Sequence, residues 1–102
     1  MTAELPQPSD VSAVVCTKNS IASIGPCLQS LRNAGIGEII VVDASSTDET
    51  RAVADSLADR VLPDPGTGLG QARNLGIAAS SKDFILNMGS DNVMSPEQLQ
   101  HM

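Results

Sequence analysis

The amino-acid sequence predicts an α/β fold with a mostly parallel sheet and alternating helices. Two observations support this prediction. Short β-branched or apolar runs alternate along the chain with segments whose apolar residues recur at helical spacing, an order typical of parallel α/β sheets. One run, EIIVVD at Glu38–Asp43, has four consecutive apolar residues, which indicates a strand that helices cover on both faces.

The first half of the chain is predicted to contain a tail, two strands and two helices. These are the polar tail 1–10, the strand Val11–Cys16, the helix Ser20–Ala34, the strand Glu38–Asp43 and a helix that ends near Ala58. The first helix has apolar residues at helical spacing, namely Ile21, Ile24, Leu28 and Leu31. The second helix is predicted to begin at a capping box, because Ser46 and Glu49 have S-x-x-E spacing.

The second half continues the alternation with shorter elements. These are the strand Arg60–Leu62, the loop Pro63–Gly70, the helix Gln71–Ser80, the strand Asp83–Met88 and a last helix that begins at Ser95. The small-residue helix is expected to turn three residues inward, namely Ala72, Leu75 and Ala79.

Length and composition bound the possible functions. The chain has 102 residues, of which 41% are apolar, so residues 11–102 fit one small domain with a packed core. Twelve acidic and six basic side chains give a net charge of −6, which argues against nucleic acid as a partner because its binders need a basic face. Phe84 is the single aromatic residue, so the chain has no stacking platform for single strands.

Cysteine use and hydropathy predict a cytoplasmic protein. Cys16 and Cys27 lie in apolar contexts and are expected to be buried, reduced thiols. The polar N-terminus lacks the apolar region of a signal peptide. No apolar run approaches the roughly 18–20 residues that cross a bilayer, so we expect no transmembrane segment.

Polar residues follow three of the predicted strands, at the edge where parallel sheets bind ligands. They are Thr17, Lys18 and Asn19 after the first strand, Asp43 and Ser45 after the second, and Gly89, Ser90, Asp91 and Asn92 after the fourth. Their convergence predicts a ligand site at the carboxyl edge of the sheet.

Each charged or polar candidate has a functional and a structural interpretation. Asp43 can accept a hydrogen bond from a ribose hydroxyl or a base N–H, or it caps the turn into the next helix. Ser45 lies at a predicted helix N-terminus, which is either an anion site or a cap. Asp91 can hold Mg²⁺ or Mn²⁺ together with phosphate oxygens, or it is a turn residue.

A glycine-rich loop precedes one positively charged residue, Arg73. The glycines of GTGLGQ, Gly70 among them, lack the spacing and position of a dinucleotide fingerprint and predict a loop that closes over a ligand. Arg73 has the planar fork that pairs with diphosphate oxygens, or it is a solvated helix residue.

Four segments, in order, resemble the family 2 glycosyltransferases and the nucleotide-binding half of their GT-A fold. They are VSAVVCTKN, the Cys27-Leu28-x-Ser30-Leu31 run, EIIVVDASSTDET, and GLGQARNLGIAASSKDFILNMGSDN followed by Pro96. Together they cover Val11 to about Leu99. The resemblance implies a GT-A-type, Rossmann-like sheet that is an incomplete domain.

The resemblance also implies a nucleotide-diphosphate sugar donor, a divalent metal (Mg or Mn) and a set of site residues. Thr17 and Asn19 would line the nucleoside pocket, and Asp43 would contact the base or the ribose. Arg73 would lie near the donor's base or diphosphate, and Asp91 would be the last Asp of the metal-binding D-x-D motif.

Three departures from the family pattern limit these expectations. The usual second acid after Asp43 is Ala44, and the first Asp of D-x-D is Gly89, which leaves Ser90 and Asn92 as weaker oxygen ligands. The acceptor half, which carries the family's catalytic base, has no match in this chain. We therefore assign no catalytic base, leave the carbohydrate or lipid-linked acceptor unspecified, and expect the 102 residues alone to be inactive in transfer.

Two other functions compete with a donor-binding glycosyltransferase domain. One is a non-catalytic GT-A-like binding or assembly module, and the other is a small dinucleotide-binding regulator. Unpaired strand edges and uncovered apolar faces would favour a homo-oligomer.

Overall fold

The computed structural model describes residues 7–64, 66 and 68–90. These residues form a sheet of four parallel strands that alternate with three helices, which confirms the predicted fold class. The strands are β1 (Val11–Thr17), β2 (Glu38–Asp43), β3 (Arg60–Pro63) and β4 (Phe84–Gly89), in the order β3-β2-β1-β4. The helices are α1 (Ile21–Asn33), α2 (Thr50–Leu57) and α3 (Leu69–Ala79), and a 3₁₀ turn, Pro8–Asp10, precedes β1.

The two central strands are buried on both faces. On one face, α1 and α2 cover a large apolar cluster that includes Ala13, Val15, Ile24, Leu28, Leu31, Ile39 and Val41. On the other face, Ala72 of α3 packs with Val14 and Val42. Successive residues of a strand point to opposite faces, so the middle of β1 (residues 13–15) and the middle of β2 (residues 39–42) are apolar without polar alternation.

The edge strands are more exposed than the central pair. β3 and β4 each pair on one side only within the described residues, and Phe84 at the start of β4 is 46% exposed.

The predicted capping box is wrong. Ser46 does not begin a helix, because its hydroxyl donates to the carboxylate of Asp43 at 2.5 Å. Residues 44–49 remain non-helical, and α2 begins at Thr50 with Glu49 at its N-cap. An acceptor three residues upstream thus engages the side chain that the capping box would have used.

One residue predicted to point inward and one apolar residue at helical spacing are exposed, and one helix begins earlier than predicted. Ile21, in the first turn of α1, is 44% exposed, and Leu75 of α3 is 37% exposed. The inner stripe of α3 is formed instead by Ala72 and Gly76, both buried. Because α3 begins at Leu69, Gly70 lies in its first turn and not in a loop, contrary to the prediction.

Some predictions lie outside the described residues. They concern the first six residues of the tail and the helix that begins at Ser95.

A buried carboxylate holds the amino edge of the sheet. Glu38 accepts hydrogen bonds from the Ser12 hydroxyl (2.8 Å), the Ser81 N–H (2.9 Å) and the Ser81 hydroxyl (3.2 Å). Burial by itself raises the pKa of Glu38, but these bonds and the charge of Arg60 outweigh it and hold that pKa below its ordinary range. The carboxylate therefore ties the entry of β4 to β1 and β2.

Close approach of α3 to β1 depends on a glycine. A Cβ atom at Gly76 would lie 2.3 Å from Cγ1 of Val14 and 3.3 Å from its Cβ. Since Val14 is fully enclosed in the core, it has little room to move away.

We expect Gly76→Ala to lower the free energy of unfolding by about 1–3 kcal/mol, the usual cost of overpacking a core. Gly70→Ala is the matched control in the same helix, because nothing lies within 4 Å of a Cβ there. The control should leave stability unchanged or raise it by up to about 1 kcal/mol. Urea unfolding measures both, and equal midpoints for Gly76→Ala and wild type would contradict this packing.

The lowered pKa of Glu38 predicts a pH dependence of stability. Between the folded and the unfolded pKa the unfolded chain binds more protons, so acid favours unfolding. The contribution of Glu38 is fully present above about pH 4.3 and is lost as pH falls through the lower folded pKa. In urea unfolding from pH 6 to pH 3, the stability difference between wild type and Glu38→Gln should shrink below about pH 4. A constant difference would show that Glu38 titrates alike in both states.

Candidate functional site

The loops after β1 and β2 leave the sheet side by side. Thr17 and Asp43 are register partners at the carboxyl ends of the two strands. The Ala44 N–H donates to the Thr17 carbonyl at 2.9 Å, and the Asp64 N–H donates to the Asp43 carbonyl at 2.9 Å. The three strand ends β1, β2 and β3 are therefore joined at the edge where the sequence predicts a ligand site.

A hydrogen-bonded frame connects these loops through three side chains. Ser46 donates its N–H (3.0 Å) and its hydroxyl (2.5 Å) to the two oxygens of Asp43. The Ser46 oxygen accepts the Asn19 N–H at 2.9 Å, and Asn19 Oδ1 accepts the Thr47 N–H at 2.7 Å. Asp43 is only 4% exposed, so it acts here as the cap of the loop, one of the two roles that its position allows.

Two residues of these loops adopt left-handed backbone conformations. Asn19 has φ of 47° and Ser45 has φ of 50°. Residues other than glycine rarely occupy this region, and such strain concentrates at functional sites. The side-chain bonds of Asn19 stabilise its turn, and Ser45 is exposed at the tip of the next loop.

A second set of hydroxyls joins the end of β4 to the frame. The Ser20 hydroxyl lies 2.9 Å from the Ser90 hydroxyl, and the Ser20 N–H donates to Thr50 Oγ1 at 2.8 Å. The Thr50 hydroxyl donates in turn to Asp48, and this bond, with the Thr50 N–H, holds the pKa of the Asp48 carboxyl below its ordinary range. Loops after β1, β2 and β4 are thus in contact.

A cavity of about 210 Å³ opens beside the frame. It is lined by Cys16, Thr17, Lys18, Ala44 and Asp64. Burial raises the pKa of the Cys16 thiol, the charge of Arg73 opposes that shift, and the charge of Asp64 adds to it. Arg73 and Asp64 therefore both act electrostatically on Cys16.

Thr17 carries an unsatisfied buried group. The residue is 5% exposed, and its hydroxyl has no hydrogen-bond partner among the described residues. Burying an unpaired hydroxyl costs about 1–3 kcal/mol, and such groups are rare enough to indicate a missing partner.

The structure brings most of the predicted site residues to one edge. Thr17 and Asp43 end β1 and β2, Asn19 and Ser45 lie in the loops that follow, and the charge of exposed Arg73 on α3 acts on Cys16. Gly70 is exposed in the first turn of α3 and is not a loop hinge. Asp91 lies outside the described residues.

Three cavity residues were not selected from the sequence. Cys16 and Ala44 have no polar chemistry to draw attention, although both adjoin selected residues. Asp64 had a usable signal, because it follows β3 as directly as polar residues follow β1 and β2.

The described residues do not form a metal site by themselves. They contain no group of three or more His, Cys, Asp or Glu side chains that could hold an ion. Gly89, at the end of β4, supplies no carboxylate, and a site here would depend on Asp91.

Comparison with known proteins identifies the family of this chain. The sequence profile described as glycosyl transferase family 2 matches residues 12–102. The chain belongs to glycosyl transferase family 2. This confirms the resemblance drawn from the four motifs.

Relatives of this family 2 chain are named glycosyltransferases. It is 36% identical over 87 residues to an uncharacterized glycosyltransferase of Rickettsia felis, across 85% of this chain and 30% of that protein. It is 34% identical over 99 residues to the putative glycosyltransferase EpsH of Bacillus subtilis, across 90% of this chain and 29% of that protein. The chain thus spans about 30% of the length of these relatives.

Solved structures establish the GT-A fold of this family 2 chain. S. aureus TarS 1–349 in complex with UDP superposes with a TM-score of 0.75 at 28% identity, over 89% of this chain and 30% of that one. Glucosyl-3-phosphoglycerate synthase from Mycobacterium tuberculosis, with Mn²⁺, UDP and phosphoglyceric acid, gives 0.72 at 28% identity, over 84% and 34%. Within the described part of the chain, no helix has the length and hydropathy of a membrane span.

The central place of Ser46 in the frame leads to a stability prediction. We expect Ser46→Ala to lower the free energy of unfolding by about 1–3 kcal/mol, because it leaves a buried Asp43 oxygen without its hydroxyl donor. Ser45→Ala is the neighbouring control, since its exposed side chain should change stability by no more than about 0.5 kcal/mol. Urea unfolding compares the two, and equal losses would show that Ser46 has no special role.

Proposed function

We propose that the carboxyl edge of this sheet binds the nucleotide-diphosphate sugar donor of a glycosyltransferase reaction. The observation that carries the proposal is the hydrogen-bonded frame of Asn19, Asp43 and Ser46 beside a cavity of about 210 Å³. UDP in the TarS structure and Mn²⁺ with UDP in the M. tuberculosis synthase support a donor of this class.

Each site residue has a proposed role in holding the donor. Thr17 offers its unpartnered hydroxyl to the nucleoside, and the two loops that contain Asn19 and Ser45 supply the rim. Asp43 has lone pairs beyond the two that Ser46 uses, which can accept from a ribose hydroxyl or a base N–H. Arg73, with the exposed turn at Gly70, would meet the diphosphate.

The chemistry of transfer sets what these residues must do. The bond from the anomeric carbon to the diphosphate breaks, and an acceptor hydroxyl forms a new bond to that carbon after giving its proton to a base. Arg73 stabilises the negative charge that develops on the leaving nucleoside diphosphate. The hydrogen-bonded frame holds the nucleoside in place, so reactants meet at a set distance. The base and the carbohydrate or lipid-linked acceptor are not assigned to residues of this chain.

The proposal includes a divalent metal only if Asp91 binds it. The described residues alone do not fit a metal ion, and Ser90 is already engaged with Ser20. A bound Mg²⁺ or Mn²⁺ would neutralise diphosphate charge. The cytoplasmic location expected from the sequence also remains a proposal.

Titration calorimetry tests donor binding directly. We expect the 102-residue chain to bind at least one of UDP-glucose, GDP-mannose and dTDP-glucose, with weaker binding after Mn²⁺ is removed by EDTA. Asp91→Ala should abolish the Mn²⁺-dependent part of the affinity and leave the metal-free part. No heat with any of the nucleotides would reject the function, and unchanged Mn²⁺ dependence in Asp91→Ala would reject the metal role alone.

A non-catalytic binding or assembly module is the second candidate. Gly89 in place of the first acid of D-x-D and the exposed side chains of Phe84, Leu75 and Ile77 favour it. Light scattering after size-exclusion chromatography distinguishes the two, because this module would form a stable homo-oligomer and show no nucleotide binding.

A further inference from the structure

The turn after β4, formed by Gly89 and Ser90, lies where strand pairing ends. Gly89 is the last residue of β4 and is the register partner of Cys16 in β1. Within the described residues β4 has β1 as its one neighbour in the sheet, and Ser90 follows the end of that pairing. The position of this turn, which directly precedes Asp91 in the sequence, therefore depends on side-chain contacts.

Helix α1 and its N-cap residue make two such contacts. The Cys27 thiol donates to the Gly89 carbonyl at 3.8 Å, and the hydroxyl of Ser20, the N-cap, lies 2.9 Å from the Ser90 hydroxyl. A thiol is a weak donor, whereas 2.9 Å is within the normal range for a hydrogen bond between two hydroxyls. Ser20 thus makes the stronger of the two contacts.

The proton of the Ser20 hydroxyl determines the direction of the bond to Ser90. A serine hydroxyl has one proton, and Ser20 donates it to the Lys18 carbonyl at 3.0 Å. The Ser20 oxygen therefore accepts in the contact with Ser90, and the Ser90 hydroxyl donates. The Ser20 side chain thus connects the loop after β1 to the turn after β4.

The backbone of Ser20 is anchored to the start of α2. Its N–H donates to Thr50 Oγ1 at 2.8 Å, and Thr50 is fully buried. Thr50 donates its own hydroxyl to Asp48, which lies in the loop after β2. Ser46 connects the loops after β1 and β2, and Ser20 extends that connection to the end of β4.

We propose that Ser20 is a positioning residue of the donor site, which holds the turn after β4 at a fixed distance from the loops after β1 and β2. This inference rests on the proposed function. A donor that contacts loops from several strands needs those loops at fixed separations, because a site that is about 1 Å too loose loses function. Ser20 acts on the donor through Ser90 and the turn, without a contact of its own.

Ser20→Ala tests this role, because it removes the hydroxyl and keeps the backbone N–H that bonds to Thr50. Titration calorimetry with UDP, GDP and dTDP first identifies the nucleotide that wild type binds most tightly, and all variants are compared with that nucleotide. We expect Ser20→Ala to bind it about three- to tenfold more weakly, the loss that corresponds to one hydrogen bond. Ser20→Thr keeps the hydroxyl and should restore wild-type affinity.

A double-mutant cycle tests whether Ser20 acts through Ser90. Ser90→Ala removes the donor of the same bond. If this bond positions the turn, the binding free energy lost in the double variant should be smaller than the sum of the two single losses. A role confined to stability would instead lower the urea midpoints and leave the affinities of the folded variants unchanged.

Ser23→Ala is the matched control in α1. The Ser23 hydroxyl donates to the Ser20 carbonyl at 3.4 Å, so this variant removes a hydroxyl from the same turn and leaves the Ser20 side chain in place. Its nucleotide affinity should equal that of wild type. Circular dichroism and urea unfolding verify that each variant is folded. If Ser20→Ala does not fold, Ser90→Ala breaks the same bond from its other end.

The outcomes separate this inference from the proposed function. Wild-type affinity in Ser20→Ala, additive losses in the cycle, or an equal loss in Ser23→Ala overturns the role of Ser20 and leaves donor binding intact. A wild-type chain that binds none of the three nucleotides overturns the proposed function, and the role of Ser20 falls with it.

Discussion

Burial of β1 and β2 on both faces is the constraint on which the rest of this structure depends. With α1 and α2 on one side and α3 on the other, the side chains of this pair are committed to the core, and only the strand ends reach solvent. Parallel pairing then brings the loops that leave Thr17 and Asp43 together. Asn19 and Thr47 meet across 28 residues of sequence for this reason.

Ser46 links the loop after β1 to the loop after β2 by hydrogen bonds. It donates twice to buried Asp43 and accepts from the Asn19 backbone, so a single side chain satisfies groups from both loops. The same bonds keep the segment before α2 non-helical and hold the left-handed turns at Asn19 and Ser45. The rim therefore has a defined shape without a ligand, and preorganisation of this kind lowers the entropy that the proposed binding of a nucleotide would cost.

Sequence patterns predicted the fold closely where local and tertiary signals agree. The predicted bounds of β2 match the structure, and α1 begins and ends within one residue of its prediction. The pattern was wrong at Ser46 and at Leu75. Ser46 has the spacing of a helix cap, yet its hydroxyl donates to Asp43, and residues 44–49 remain non-helical. Leu75 has the spacing of a core residue, yet α3 approaches the sheet so closely that only Ala72 and Gly76 fit against it.

The sequence by itself determined the α/β class, the family, and the edge of the sheet at which the site residues gather, because strand order and motif spacing are properties of the chain. Only the tertiary structure decided how those residues are used. It committed Asp43 to the loop frame, left the Thr17 hydroxyl unpartnered, and brought Asp64 to the cavity wall beside Ala44. The reason is that hydrogen-bond partners and cavity walls come from separate crossovers, and their distances are defined only when the sheet is assembled.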